Sequence, residues 1–427
     1  MATIQFKDDC DSMEVGLREF DSSWTWQANE LRAIDVPCIW GELPLGFRRL
    51  APYHSQMMSE VEAEIHKRLN SRAAMALCDS EVSALLDGIG DILVGLSGGD
   101  ALVSFIDSTM ANEVEHDFAP LIRIYKNGRV ERILGTERVP PSLDSDTGVL
   151  SKDVVIDHET GLSARMYIPK IAHPNEKLPL LIYIHGGGFV TESAFSPLYH
   201  NYLNSLVTQG NIVAVSVEYR LAPEYPLPIG YHDCWDAVQW VFSTTNKESW
   251  LKDHTDFDRV FLAGDSAGAN FSHDILIRAK DDEKVNILGV VLVNMYFWGT
   301  ERIGSEDMDT PSPFNKRLMS TIWPTMYPTC SGIDDLRNNP FLEGAPSFSS
   351  LACKRMLIFV AEKDVLKDRG WFYYETLKNS GWSGEVEIEE MEGEDHVFHL
   401  FNPTCEKAGN MIKRFVSFFK QAPSFLR

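Results

Sequence analysis

The chain has 427 residues, 44% apolar and 24% charged, which is ordinary for a globular protein of one large domain plus an extension, or of two domains. Its 62 acidic residues outnumber 39 basic ones, giving a net charge of -23. That balance argues against nucleic acid and anionic membrane surfaces as partners.

The first residues include Asp8, Asp9 and Asp11. Acids so early oppose a secretory signal or a transit peptide, so a cytoplasmic protein is expected. The longest apolar run, Ile287 to Trp298, is interrupted by Asn294 and falls short of the roughly 18 residues that span a bilayer. Seven cysteines (Cys10, Cys38, Cys78, Cys234, Cys330, Cys353 and Cys405) are widely spaced and form no C-x-x-C pair. They read as free thiols in a reducing compartment and offer no metal ligand set.

Residues 1–115 have a texture of their own. Ser59 with Glu62 spells a capping box, and Val61, Ile65 and Leu69 follow on one face. A second helix is predicted from Ser80 to Leu93, weakened by Gly88 and Gly90. The stretch reads as a helical or irregular N-terminal extension without chemistry of its own, and residues 116–427 as the catalytic domain.

From Glu115 the pattern changes. Leu121–Tyr125 and Arg129–Leu134 flank Lys126-Asn127-Gly128, a hairpin turn. Pro140-Pro141 breaks the chain, and short strands are predicted at Val154–Ile156 and Ala164–Ile168. Continuous apolar runs follow at Leu180–Ile184, Ile212–Val217, Val260–Ala263, Leu288–Val293 and Met356–Ala361. Such runs are strands buried on both faces, as in a parallel sheet. Helical stretches at Tyr199–Thr208, Tyr231–Phe242 and Phe271–Lys280 separate the first four runs. An insertion, Thr300–Ser350, separates the last two. A helix at Trp371–Asn379, a short strand at Val386–Ile388 and an amphipathic helix at Glu406–Phe419 complete the alternation. The expected fold is α/β, a mostly parallel, doubly wound sheet with an antiparallel N-terminal edge.

One turn stands out in this frame. Gly264-Asp265-Ser266-Ala267-Gly268 lies between an apolar strand and a helix, the setting of a G-x-S-x-G nucleophile elbow. Residues two before and two after the serine must be small, and Gly264 and Gly268 are. The helix then directs its unpaired N–H groups at the reacting oxygen.

A serine hydroxyl needs a base to activate it and a third group to orient that base. On α/β-hydrolase sheets the chain order is Ser, then Asp or Glu, then His. Two histidines follow the last apolar strand run, His396 and His399. His396 sits in a loop directly after a strand and is the expected base, with His399 as the alternative. Asp364 is the nearest aspartate beyond Met356–Ala361 and the expected orienting acid, with Asp368 and Glu362 as competitors. His185-Gly186-Gly187-Gly188 follows the first buried strand and reads as an HGGG-type oxyanion loop. Its expected donors are the N–H groups of Gly186 and Gly187, with that of Ala267. His185 precedes the serine, the wrong order for a base, and reads as structural.

These residues, together with Tyr219-Arg220-Leu221-Ala222-Pro223-Glu224, resemble the hormone-sensitive-lipase-like α/β hydrolases. Tyr125–Arg132, Pro140–Leu143, Asn379–Trp382 and Glu394–His399 resemble, more closely, the plant class I carboxylesterases. That family includes esterases, 2-hydroxyisoflavanone dehydratases and gibberellin receptors. The resemblance implies an α/β-hydrolase fold, a small-molecule ester substrate and no cofactor or metal. The receptors have lost the histidine, which His396 supplies here. Legume dehydratases can carry threonine at the nucleophile, so Ser266 leans toward an esterase. Asn294-Met295 replaces the His-Pro usual in relatives, which implies a different acyl-pocket wall.

Overall fold

The computed structural model describes residues 113–421, apart from 172–175, 244, 246–247, 308–311 and 313. The expectations for the chain up to residue 112, including helices near Ser59 and Ser80, lie outside the described residues.

Strands β1 (Val114–Phe118), β2 (Ile122–Tyr125) and β3 (Val130–Arg132) form a small antiparallel sheet of three strands. The expected hairpin joins β2 to β3. Gly128 makes the turn with φ +81° and donates its N–H to the Tyr125 carbonyl at 2.8 Å.

The main sheet has eight strands. They are β4 (Leu150–Val155), β5 (Ser163–Ile168), β6 (Leu178–Ile184), β7 (Val213–Glu218), β8 (Thr255–Asp265), β9 (Gly289–Val293), β10 (Arg355–Ala361) and β11 (Glu385–Met391). Their spatial order is β11-β10-β9-β8-β6-β7-β5-β4. β5 pairs antiparallel with both β4 and β7, and every pairing from β7 to β11 is parallel. The antiparallel edge therefore comes from β4 and β5, and the hairpin keeps a sheet of its own.

Helices α1 (Pro197–Gly210), α2 (Ile229–Phe242), α3 (Ser249–His254), α4 (Ala267–Ala279), α5 (Lys316–Met326), α6 (Lys367–Asn379), α7 (Phe398–Phe401) and α8 (Glu406–Lys420) flank the sheet or fill its connections. The reason for two helical layers is visible in β6, whose seven residues are all buried. Leu180, Ile182 and Ile184 join the core shared with Val238 of α2, Ile275 of α4 and Leu377 of α6. Leu181 and Tyr183, pointing the other way, join the core shared with Leu203 of α1 and Phe415 of α8. Helix α8 shows the matching pattern: Met411, Ile412, Phe415, Phe418 and Phe419 are buried along one face.

α5 lies in the Thr300–Ser350 insertion, where no helix was anticipated. Asn315 caps it, its side-chain oxygen accepting from the N–H groups of Arg317 and Leu318. Leu318, Met319, Ile322, Trp323 and Met326 form its buried stripe. Among the described residues no helix is long and apolar enough to cross a membrane.

The C-terminal ends of β6, β8, β9, β10 and β11 lie along one rim, where open parallel sheets place their ligand crevice.

Candidate active site

β8 ends at Asp265 and α4 begins at Ala267, so Ser266 alone makes the turn. Its backbone sits at φ +49° and ψ -117°, a conformation costly for a residue with a side chain. Surrounding contacts hold it there. The Ser266 N–H donates to the Val293 carbonyl at 2.8 Å, and its own carbonyl accepts from Tyr296 N–H at 3.1 Å. A Cβ on Gly264 would collide with the backbone of Gly268, and one on Gly268 with the carbonyl oxygen of Ile184. Only glycine at both positions lets strand and helix approach so closely.

The loop after β11 brings His396 to this serine. Its Nε2 lies 3.0 Å from Ser266 Oγ. Its Nδ1–H donates to Asp364 Oδ2 at 2.7 Å. Ser266, His396 and Asp364 are only 6%, 6% and 3% exposed, so the chain of hydrogen bonds runs through a dry region. Burial lowers the pKa of His396, but the charge and the hydrogen bond of Asp364 outweigh it, so the net shift is upward from 6.5. The loop after β10 supplies Asp364. Its carboxylate is held by three donors: His396, the Asn294 side-chain amide at 2.8 Å and the Leu366 N–H at 3.0 Å.

Facing them is the glycine loop after β6. Val190 N–H and Thr191 N–H both return to the Gly187 carbonyl, at 3.0 and 3.1 Å, which curls the loop toward Ser266. Gly187 and Gly188 adopt φ +100° and +59°. Together these groups line a pocket walled elsewhere by Tyr296 and by Met319 and Ile322 of α5.

Residues 181–400 match the family model described as alpha/beta hydrolase fold. The chain is 45% identical over 310 residues to the "Probable carboxylesterase 2" of Arabidopsis thaliana, covering 72% of this chain and 97% of that one. It is 43% identical over 329 residues to the 2-hydroxyisoflavanone dehydratase of Glycyrrhiza echinata, covering 74% and 99%. Among solved structures, it is similar to a hyperthermophilic esterase from Pyrobaculum calidifontis, with TM-score 0.53 and 26% identity over 63% of this chain and 85% of that one. The chain belongs to the plant carboxylesterase family. It is thus a carboxylic ester hydrolase on the α/β-hydrolase fold.

In this carboxylesterase the competing residues have other work. His399 is fully buried and pushed down to about 3 by desolvation, so it stays neutral, packed edge-on against Tyr202. Asp368 accepts from the N–H and hydroxyl of Ser305, both at 2.6 Å, and pins the insertion to α6. Glu362 accepts the Gly393 N–H at 2.6 Å and ties the His396 loop to the end of β10. His185 is buried and pushed down to about 3 by desolvation, stacked on Tyr219 at 4.2 Å. The Tyr219 hydroxyl donates to the carbonyls of His185 and Gly186. Farther along that motif, Glu224 takes both Nη atoms of Arg132, whose Nε donates to the Val190 carbonyl and so fastens β3 to the glycine loop.

One expectation needs correction. Gly186 N–H is not free to face a substrate, because it donates to the Tyr199 hydroxyl at 2.8 Å. An N–H carries one proton, and this one is committed. Gly187 and Gly188 make no such N–H bond among the described residues. The loop therefore leaves the N–H groups of its second and third glycines without a protein partner among the described residues.

Three supporting residues escaped the sequence reading. Tyr199 and Tyr183 donate to the two oxygens of Asp265, each at 2.8 Å, linking glycine loop and serine turn through one buried carboxyl. Asn294 was read as part of the pocket wall. Instead it bridges the acid and base loops: its amide nitrogen donates to Asp364, and its oxygen accepts from Val397 N–H at 3.3 Å. Its place directly after β9, at the crevice end of the sheet, was the available clue.

Proposed function

We propose that this carboxylesterase hydrolyses small carboxylic esters through Ser266, His396 and Asp364. The observation that carries the reading is the pair of hydrogen bonds, 3.0 Å and 2.7 Å, linking the three side chains at the pocket floor. Ser266 Oγ attacks the ester carbonyl carbon as His396 Nε2 takes the hydroxyl proton. Asp364 fixes the tautomer of His396 and stabilises the imidazolium that forms. The carbonyl oxygen becomes an oxyanion and accepts from the N–H groups of Gly187, Gly188 and Ala267. His396 then protonates the leaving alcohol. Water, deprotonated by the same imidazole, attacks the acyl-serine and releases the acid.

The test is turnover of p-nitrophenyl acetate by the wild type and Ser266→Ala. Loss of the nucleophile is expected to lower kcat by roughly a thousandfold or more. Equal rates would remove the proposal.

The dehydratase relative, 43% identical, favours a second use of the same groups. His396 would abstract a proton beside a ketone, the loop amides would hold the enolate, and a β-hydroxyl would leave as water. Incubation with a 2-hydroxyisoflavanone distinguishes the two: isoflavone formed equally well by Ser266→Ala marks a lyase. We place the protein in the cytoplasm, on its seven widely spaced cysteines, which read as free thiols.

A further inference from the structure

The turn that presents the loop amides runs on into Glu192. That turn is tied down at Gly187, and the Thr191 hydroxyl donates to the Leu134 carbonyl. Glu192 is therefore carried on a fixed piece of backbone. It forms part of the same pocket wall as Leu134, Leu198, Tyr199 and Phe401, and it is only 5% exposed.

Its carboxyl is anomalous. Neither oxygen makes a well-formed hydrogen bond among the described residues; the Ser196 hydroxyl lies near enough to act on the carboxyl but makes no well-formed bond either. The neighbouring buried carboxyls are all satisfied. Asp265 has two tyrosine hydroxyls, Asp364 has three donors, and Glu218 takes the Ser193 hydroxyl and the Ala194 N–H, both at 2.7 Å. A buried polar group left unpaired costs about 1–3 kcal/mol, so a wall that keeps one gains something from it when occupied.

Charge narrows what the occupant can be. Burial raises the pKa of Glu192; the Ser196 hydroxyl opposes the shift and the Asp265 charge adds to it. A carboxyl oxygen accepts a hydrogen bond, which is the complement of a hydroxyl group, and an anionic occupant would be set against both Glu192 and Asp265. The other side chains named in this wall are apolar, except for Tyr199, whose hydroxyl already serves Gly186 and Asp265.

We propose that Glu192 is a subsite for a substrate hydroxyl, so that this enzyme takes neutral hydroxylated esters in preference to plain alkyl esters. The inference rests on the ester-hydrolysis reading and names its substrate class.

The experiment measures kcat/KM on two matched pairs. One pair, p-nitrophenyl 3-hydroxybutyrate and p-nitrophenyl butyrate, places the hydroxyl on the acyl side. The other, 2-hydroxyethyl butyrate and ethyl butyrate followed by pH-stat, places it on the alcohol side. The readout is the ratio within each pair, so a general loss of activity cancels. The wild type is expected to favour the hydroxylated ester in one pair by roughly tenfold, the worth of one well-made hydrogen bond. Glu192→Gln keeps most of that ratio, and Glu192→Leu brings it near one. Glu192→Asp, which retracts the carboxyl by one methylene, also lowers it and serves if the leucine variant does not fold. A wild-type ratio near one in both pairs overturns the inference and leaves ester hydrolysis standing, as does an unchanged ratio in the leucine or aspartate variant. Failure to cleave any of the four esters, with Ser266→Ala indistinguishable from wild type, overturns both.

Discussion

Replacing Tyr199 with phenylalanine removes one oxygen and leaves the ring packed as before. That oxygen has two roles: it accepts from Gly186 N–H at 2.8 Å and donates to Asp265 Oδ2 at 2.8 Å. Losing a hydrogen bond to a carboxylate costs about 1.5–3 kcal/mol, and orphaning a buried N–H about 1–3 more, for a total of roughly 2.5–6 kcal/mol. Tyr183→Phe is the control. It strips the other oxygen of Asp265 of its 2.8 Å donor but leaves the glycine loop alone, so only the first cost applies. The loss also depends on pH. Burial pushes Asp265 up to about 6, against the two tyrosine hydroxyls that hold it down. A carboxyl raised above its unfolded value of 3.8 is protonated preferentially in the folded state, and that contribution fades as pH rises through 6. Removing either hydroxyl raises Asp265 further, so both variants lose more stability at pH 8 than at pH 5. Urea unfolding at the two pH values measures this. In activity the pair should separate: freeing Gly186 loosens the loop that carries the Gly187 and Gly188 amides. Tyr199→Phe is expected to lose roughly tenfold in kcat, a fraction of the hundredfold or more that one oxyanion donor is worth, while Tyr183→Phe stays within about twofold. Equal kcat in the two variants would refute the claim that Tyr199 holds the loop, and a pH-independent stability loss would refute the role given to Asp265.

The base must be neutral to act, and Asp364 raises the pKa of His396, so kcat/KM should climb with pH along an acid limb centred above 6.5. Asp364→Asn should move that midpoint down, while also lowering the plateau; a wild-type midpoint well below 6.5 would contradict the assignment. Asn294→Ala removes a donor to Asp364 and leaves Val397 N–H without its partner, so kcat should fall about tenfold with KM little changed. Asn294→Asp keeps the shape but sets a second carboxylate against the first, which should move the acid limb upward. Gly268→Ala forces a methyl group into the Ile184 carbonyl, and a loss of about 3 kcal/mol or outright misfolding should appear in thermal melts.

The sheet was legible because burial on both faces writes itself as unbroken apolar runs, and five such runs became β6 to β10. Their lengths were less so. β8 reaches back to Thr255, through Asp256 and Asp258, since a strand extends as far as its neighbour offers hydrogen bonds, whatever the side chains. α5 was hidden because its apolar stripe is diluted by Thr321, Pro324 and Thr325, and its cap, Asn315, lies in a stretch that reads as loop throughout. Ser266, His396 and Asp364 could be singled out because their chemistry demands particular residue types at particular strand ends. Gly186 was misjudged for the opposite reason. Nothing in a run of three glycines says which N–H is already committed, and the hydroxyl that takes it comes from α1, thirteen positions farther along the chain.

That asymmetry has a physical root. Reacting groups are constrained by bond-making, so few residue types will serve, and spacing finds them. Supporting groups need only a donor or acceptor at the right point, and any helix or loop that reaches the spot can provide it. Tyr199 comes from α1, Tyr183 from near the C-terminal end of β6, and Asn294 from the position directly after β9. Glu192 belongs with them in origin, since nothing in the sequence around it marks it out. It differs in one respect: the supporting residues are satisfied by the protein itself, whereas its oxygens are not. A buried group whose partners are all internal holds the site together. One that lacks them, in the pocket wall, is completed from outside, which is why the carboxyl at 192 bears on what this enzyme cleaves.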